Sequence, residues 1–228
     1  MGKTFTAAEF AKLFDHSILN PFINDEDIRL FCEECKTYQF ACAAVNTAQV
    51  EKCSKALRDS GIPISGAVGY PFGQTTIQVK AFEAARAIEE GAGEIDYVMN
   101  ITEMKNKNYA FVEREMRTLA DVCHEKDVPV KVIIETCYLT DDEKKRACEI
   151  ALKARPDFVK TSSGYGSGGA TLPDIRLLYS ILGGSGVKVK ASGGIRTLRE
   201  VLDYVDAGAE RIGTIASVSI MKEFLAAK

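Results

Sequence analysis

The sequence predicts a single (β/α)8 TIM barrel over residues 1–228, with a short helix ahead of it. Three observations predict it. Eight short apolar runs, most rich in β-branched residues, each precede a stretch of helical periodicity. No Pro-, Gly- or Ser-rich linker divides the 228 residues, and single α/β barrels of this size are common. A GxGxxG turn after the first strand, the mark of an open dinucleotide-binding sheet, is missing.

Thr6-Ala-Ala-Glu has the form of a capping box, and Phe10, Leu13 and Phe14 share one helical face behind it, so a short lid or plug helix opens the chain. Asp15-His-Ser-Ile-Leu reads as the first strand. After Pro21, Asn24-Asp-Glu-Asp supplies a cap and an acidic first turn for a helix. The alternation continues with strand 40–45, helix 47–60, strand 62–68, a Gly69-Tyr-Pro-Phe-Gly loop and a helix over 75–90 that Gly91 closes. Strand 94–99, helix 108–126, strand 128–135 and helix 141–154 follow, then strand 157–161 and helix 172–182, with Pro173 in its first turn where a missing N–H is harmless. Strand 187–191, helix 197–206, strand 211–214 and a final helix of about ten residues complete eight units.

Composition excludes several functions. Hydrophobic residues make up 46% and charged residues 27%, which is enough apolar chain for a sizeable core. The net charge of −3 is spread without a basic stripe, so nucleic acid and anionic membranes are not expected partners and a small-molecule substrate is. Met1-Gly-Lys-Thr-Phe carries no apolar leader segment and no run is long enough to span a bilayer, so a cytoplasmic location is expected. Seven cysteines and two histidines form no zinc-type spacing. Cys32 and Cys35 stand three apart in a helical pattern, as buried reduced thiols do, so neither metal nor cofactor is expected.

Asp157-Phe-Val-Lys-Thr-Ser-Ser-Gly-Tyr-Gly places Lys160 at the end of an apolar run, before a loop of small residues. A lysine there reaches solvent, pairs with a carboxylate, or loses its proton and becomes a nucleophilic amine. The pattern recurs in Val187-Lys-Val-Lys-Ala-Ser-Gly-Gly, where Lys190 precedes a second small-residue turn. In a barrel, side chains near the C-terminal ends of the strands face the site, and period two selects them. Asp96 then shares a face with Val98, Lys131 with Ile133 and Glu135, Lys160 with Phe158, and Lys190 with Lys188; Val132, Ile134, Val159, Val187 and Val189 face the helices. One carboxylate among two such lysines should lower the pKa of one of them by like-charge repulsion, which prepares a Schiff-base amine. A buried ion-pair network that only fills the barrel would use the same residues. Gly193-Gly194 and Gly213-Thr214 follow the seventh and eighth strands, where this fold holds phosphate on backbone N–H groups.

The chain resembles the deoxyribose-phosphate aldolases nearly end to end. The resemblance is carried by Asp15-His-Ser-Ile-Leu, Val68-Gly-Tyr-Pro-Phe-Gly with Thr75-Thr-Ile-Gln-Val-Lys-Ala-Phe-Glu-Ala, Glu94-Ile-Asp-Tyr-Val-Met-Asn, Val130-Lys-Val-Ile-Ile-Glu-Thr, Asp157-Phe-Val-Lys-Thr-Ser-Ser-Gly, Val189-Lys-Ala-Ser-Gly-Gly-Ile-Arg and Arg211-Ile-Gly-Thr. It implies a metal-free class I aldolase that reversibly splits 2-deoxyribose 5-phosphate into acetaldehyde and glyceraldehyde 3-phosphate. It further implies Lys160 as the Schiff-base lysine, Lys190 as the second lysine and Asp96 as the proton relay, with Lys131 pairing with Asp96 and setting its charge. Asp15 and Ser17 are implied near the substrate hydroxyls, and Thr161, Ser163, Gly164, Gly193, Gly194, Gly213 and Thr214 around substrate and phosphate. A homo-oligomer, dimer or tetramer, is expected as well.

Two departures stand out. The family usually has a cysteine and a proline at what are here Ala44 and Thr47, and Cys42 sits two positions early. Where the family has Gly-Thr-Ser-Ser, this chain has Gly213-Thr-Ile-Ala, so two hydroxyl donors to phosphate are missing. The alternatives are an aldolase of the same mechanism acting on a different or unphosphorylated hydroxyaldehyde, and a barrel that binds a sugar phosphate without catalysis.

Overall fold

A computed structural model describes residues 4–227. Met1–Lys3, the start of the segment read for a leader, and Lys228 lie outside the described residues. The strands are β1 (Phe14–Ile18), β2 (Cys42–Asn46), β3 (Ile64–Val68), β4 (Glu94–Val98), β5 (Val130–Ile133), β6 (Phe158–Lys160), β7 (Lys188–Ser192) and β8 (Arg211–Thr214). They pair in sequence order, all parallel, and β8 returns to β1 to close the barrel.

Short helix α1 (Ala7–Ala11) carries the expected Thr6–Glu9 capping box. Phe10 is fully buried, stacked 4.1 Å from Phe224 and edge-on to Phe14 at 5.2 Å. Because α1 leads straight into β1, it plugs the N-terminal end of the barrel rather than covering the mouth.

Around the sheet run α2 (Asp25–Tyr38), α3 (Val50–Leu57), α4 (Ile77–Glu89), α5 (Ile101–Lys105), α6 (Tyr109–His124), α7 (Asp141–Ala154), α8 (Leu172–Leu182), α9 (Leu198–Asp206) and α10 (Ser217–Ala226). Most begin at a side-chain cap: Asn24, Thr140 and Thr197 close capping boxes, and Thr76, Asn108 and Thr171 each accept from an N–H of the first turn. Most element ends fall within two residues of the sequence expectation, and two differences are larger. The helix over 47–60 begins instead as a 3₁₀ turn, Thr47–Gln49, before α3. Helix α5 was not expected; Asn100 caps it by accepting from Glu103 N–H, within a stretch that reads as loop.

Strand parity sorts the residues as period two requires. Val132, Ile134, Val159, Val187 and Val189 join the apolar cluster between sheet and helices. Val98, Ile133 and Phe158 are buried but outside that cluster, on the inward face with Asp96, Lys131 and Lys160. Lys188 shares their parity yet is exposed, because it begins β7 at the far end of the barrel.

Candidate active site

Lys160 is the last residue of β6 and one of the side chains lining a cavity of about 190 Å³ at the C-terminal mouth. Its side chain is 5% exposed, so the amine meets the cavity while the stem is packed. Nζ donates to Asp96 Oδ2 at 2.7 Å and to the Tyr70 hydroxyl at 3.0 Å.

Asp96, in the middle of β4, is the hub. Oδ2 also accepts from Lys190 Nζ at 2.7 Å, while Oδ1 accepts from Lys131 Nζ at 2.7 Å and Ser65 Oγ at 2.8 Å. Burial works against ionisation of this carboxyl, but the Lys131, Lys160 and Lys190 charges outweigh it and hold Asp96 well below the usual carboxylate range. Lys131, equally buried, is pulled the other way. Burial would favour the neutral amine, yet Asp96, Glu94 and Asp15 raise its pKa well above that of a free lysine. Glu94 Oε2 lies 2.5 Å from Lys131 Nζ.

Lys190 is the lysine pushed down. Burial is the largest cause, Asp15 and Asp96 oppose it, and the nearby Lys160 and Lys131 charges add to it. Like-charge repulsion, the cause expected from the sequence, is the weaker one; in the folded barrel, loss of water around a fully buried amine is stronger.

The interior is also richer in charge than one carboxylate and two lysines. Asp15 accepts from Lys190 and from Arg211, and Arg211 reaches Glu94 at 3.3 Å. Asp15, expected beside the substrate hydroxyls, is 0% exposed and does not line the cavity. Burial would raise its pKa, but Lys190, Lys131 and Arg211 hold it low. Ligand-type atoms of Asp15, Cys42 and Glu94 lie within 4.8 Å of one another, as metal ligands would, but Lys131 and Arg211 already satisfy both carboxylates.

Ser17, Ser163, Gly164, Gly193, Gly194, Gly213 and Thr214 line the cavity with Lys160. Thr161 does not. Its hydroxyl donates to Ser192 O and accepts from Ser192 N–H, both at 3.0 Å, tying β6 to β7 beneath the cavity. Gly193 and Gly194 both have positive φ, 85° and 78°, and the Gly193 carbonyl packs where a Cβ on Gly169 would stand, 2.1 Å away. The Thr214 hydroxyl donates to Ile195 O and accepts from Ala216 N–H, so what it offers a ligand is backbone. Ile215 is 58% exposed at the rim, and Ala216 caps α10 without a side-chain bond. Arg196 is the cation on this wall.

The site also contains residues to which the sequence assigns no role. Glu94 and Arg211 carry a parity signal, two positions from Asp96 and Gly213 on β4 and β8. Tyr70 sits in a loop, where no period applies. Glu135, expected on the face of Lys131 in a strand over 128–135, lies instead beyond the end of β5 at Ile133, with φ 52°, and turns its carboxyl to Ser163 N–H, 3.2 Å from each oxygen. Burial raises its pKa against those bonds. Cys42 is fully buried on the inward face of β2, and burial, with Glu94 and Asp15, pushes its thiol up. Ala44, the next inward residue, offers no sulfur.

A family model described as DeoC/LacD family aldolase matches residues 10–221. The chain is 46% identical to the deoxyribose-phosphate aldolase of Lactobacillus acidophilus over 95% of its length and 91% of that protein. It is 44% identical to the one from Thermococcus kodakarensis over 94% and 96%. Among solved structures, the tetrameric deoxyribose phosphate aldolase of Aeropyrum pernix superposes with a TM-score of 0.91 at 30% identity, covering 98% of this chain and 94% of that one.

Proposed function

The chain belongs to the DeoC/LacD aldolase family, and on that footing we propose that it is a class I aldolase that reversibly cleaves 2-deoxy-D-ribose 5-phosphate to acetaldehyde and D-glyceraldehyde 3-phosphate. The observation that carries the proposal is the amine of Lys160, at the cavity floor and 2.7 Å from a carboxylate oxygen that it shares with Lys190.

Lys160 adds to the C1 aldehyde of the open-chain sugar and, with loss of water, forms an iminium. The iminium draws the C2–C3 bonding pair as the C3 hydroxyl loses its proton, and glyceraldehyde 3-phosphate departs. The remaining enamine takes a proton on C2, and hydrolysis frees acetaldehyde and the lysine. Asp96, ionised and between the two amines, relays protons. Lys190, held nearer neutrality by burial, exchanges them with it. Lys131 keeps Asp96 charged, and Asp15 acts from beneath by holding Lys190 and Arg211 in place. Ser163, Gly164, Gly193, Gly194, Gly213 and the Thr214 backbone, with Arg196, surround the phosphate. Ser17 faces the sugar hydroxyls, and Thr161 supports the wall.

All 228 residues act as one aldolase domain with small-molecule substrates. No helix among the described residues is long and apolar enough to cross a membrane, which accords with action in the cytoplasm. The protein works as a homo-oligomer, dimer or tetramer; the tetrameric relative and exposed Phe22 (81%) and Phe82 (72%) support that reading.

Borohydride reduction in the presence of acetaldehyde tests the chemistry. The parent should gain one reduced adduct, which mass spectrometry places on Lys160. Lys160→Leu should lose both the adduct and turnover, and an unchanged adduct on that variant refutes the assignment.

A further inference from the structure

The carboxylate at the centre of the site leaves one step without a donor. When an amine adds to an aldehyde, the nitrogen lone pair forms the N–C bond, the carbonyl π pair moves to oxygen, and the product is a zwitterion with one proton too many on nitrogen and one too few on oxygen. Asp96 is no donor at this step, because Lys131, Lys190 and Ser65 hold its oxygens and the carboxyl is ionised.

A different group touches the same nitrogen from the other side. The Tyr70 hydroxyl lies 3.0 Å from Lys160 Nζ and accepts its hydrogen bond. Among the described residues no acceptor takes the hydrogen of the phenol itself, so it is available to a ligand joined to Lys160 Nζ. Burial pushes the Tyr70 phenol well above its ordinary value, and the Asp96 charge adds to that, so the group stays protonated at neutral pH. The loop that carries it is fixed: Gly69 N–H donates to Glu83 Oε2 at 2.9 Å, and Gly73 N–H donates to Gly69 O at 2.8 Å. The ring of Tyr70 stands edge-on to Tyr165, centroids 6.3 Å apart.

We infer that Tyr70 is a further catalytic residue, the phenol that moves a proton from nitrogen to oxygen as the carbinolamine forms on Lys160. The inference rests on the Schiff-base reading above. The phenol oxygen takes the surplus proton from Nζ while its own hydrogen passes to the alkoxide one carbon away. Phenol is regenerated, the zwitterion becomes a neutral carbinolamine, and no other reactant is consumed. The same relay in reverse serves the collapse of the carbinolamine when product aldehyde leaves.

Tyr70→Phe isolates the hydroxyl, since the ring contact with Tyr165 and the aromatic face beside Lys160, 5.8 Å from Nζ, survive. Enzyme is mixed with acetaldehyde, quenched with borohydride at timed intervals, and the adduct counted by mass spectrometry. Adduct formation and kcat should fall by about 10²-fold, the lower end of general acid–base contributions, while the final trapped fraction and KM stay near the parent's. A parent-like rate of adduct formation in the variant overturns the inference, as does a normal rate with a raised KM. A parent that forms no adduct at all refutes the Schiff-base reading instead, so the two failures are distinct. Should Tyr70→Phe fold poorly, the parent decides: adduct formation that is no slower in D₂O overturns the relay, and a slower rate supports it.

Discussion

Lys131→Met is the sharpest test of the charge network beneath the cavity. Methionine keeps most of the stem's volume and removes only the ammonium, which is fully buried and lies 2.7 Å from Asp96 and 2.5 Å from Glu94. At 2.7 Å and an effective dielectric of about 20, one such unit pair is worth about 6 kcal/mol. Part of that returns as relieved desolvation, and deleting one partner of a buried pair costs about 3–5 kcal/mol. For a chain of this length that corresponds to a fall in Tm of about 6–20 °C. The pH dependence has a definite sign. The folded pKa of Asp96 is depressed, so its contribution is fully present above the unfolded value of about 3.9 and is lost as pH falls through the folded value. Without Lys131 the folded value rises and there is less to lose, so the gap between parent and variant should hold above about pH 4 and narrow below it. Circular dichroism melts across that range read both. A Tm within about 2 °C of the parent's at pH 7, less than 1 kcal/mol on the same scale, would refute the reasoning, and so would a gap that widens in acid.

Lys190→Leu should leave weak aldolase activity with an altered pH–rate profile, because Asp96 Oδ2 then loses a proton partner whose pKa burial holds low; a profile that matches the parent's argues against this. Ile215→Ser with Ala216→Ser adds one hydroxyl at the rim beside Gly213 and a second at the N-cap of α10. Each new contact to a charged phosphate is worth about 1.5–3 kcal/mol, so the preference for 2-deoxyribose 5-phosphate over 2-deoxyribose, measured as kcat/KM, should rise at least about tenfold. An unchanged preference would place phosphate recognition elsewhere, with Ser163, Gly164 and Arg196 next to test.

The alternation of apolar runs and capped helices determined the barrel, because period and caps are local properties that a sequence displays directly. Thr6 closes its box and Asn24 caps α2 at the expected positions, and α7 and α8 run over the residues the pattern marks. Parity also marked Asp96, Lys131, Lys160 and Lys190 as residues that would meet, since inward and outward positions alternate along every strand of a closed sheet. What parity cannot supply is depth. Lys188 and Lys190 share a face, yet one is exposed at the foot of the barrel and the other is fully buried, and only the pairing register fixes which. The same holds for Asp15, whose side chain lies against Lys190 and does not line the cavity, and for Glu94 and Arg211, whose charges matter because closure brings β8 back to β1. Loops were least legible. Tyr70 reaches the site from irregular backbone, where position depends on contacts from distant parts of the chain and not on any period, and Glu135, which parity placed on the face of Lys131, has left the strand and turns to Ser163. The sequence therefore determined which side chains face the barrel's axis, and the tertiary structure decided their height along it and their partners, because burial and charge pairing exist only once the sheet has closed.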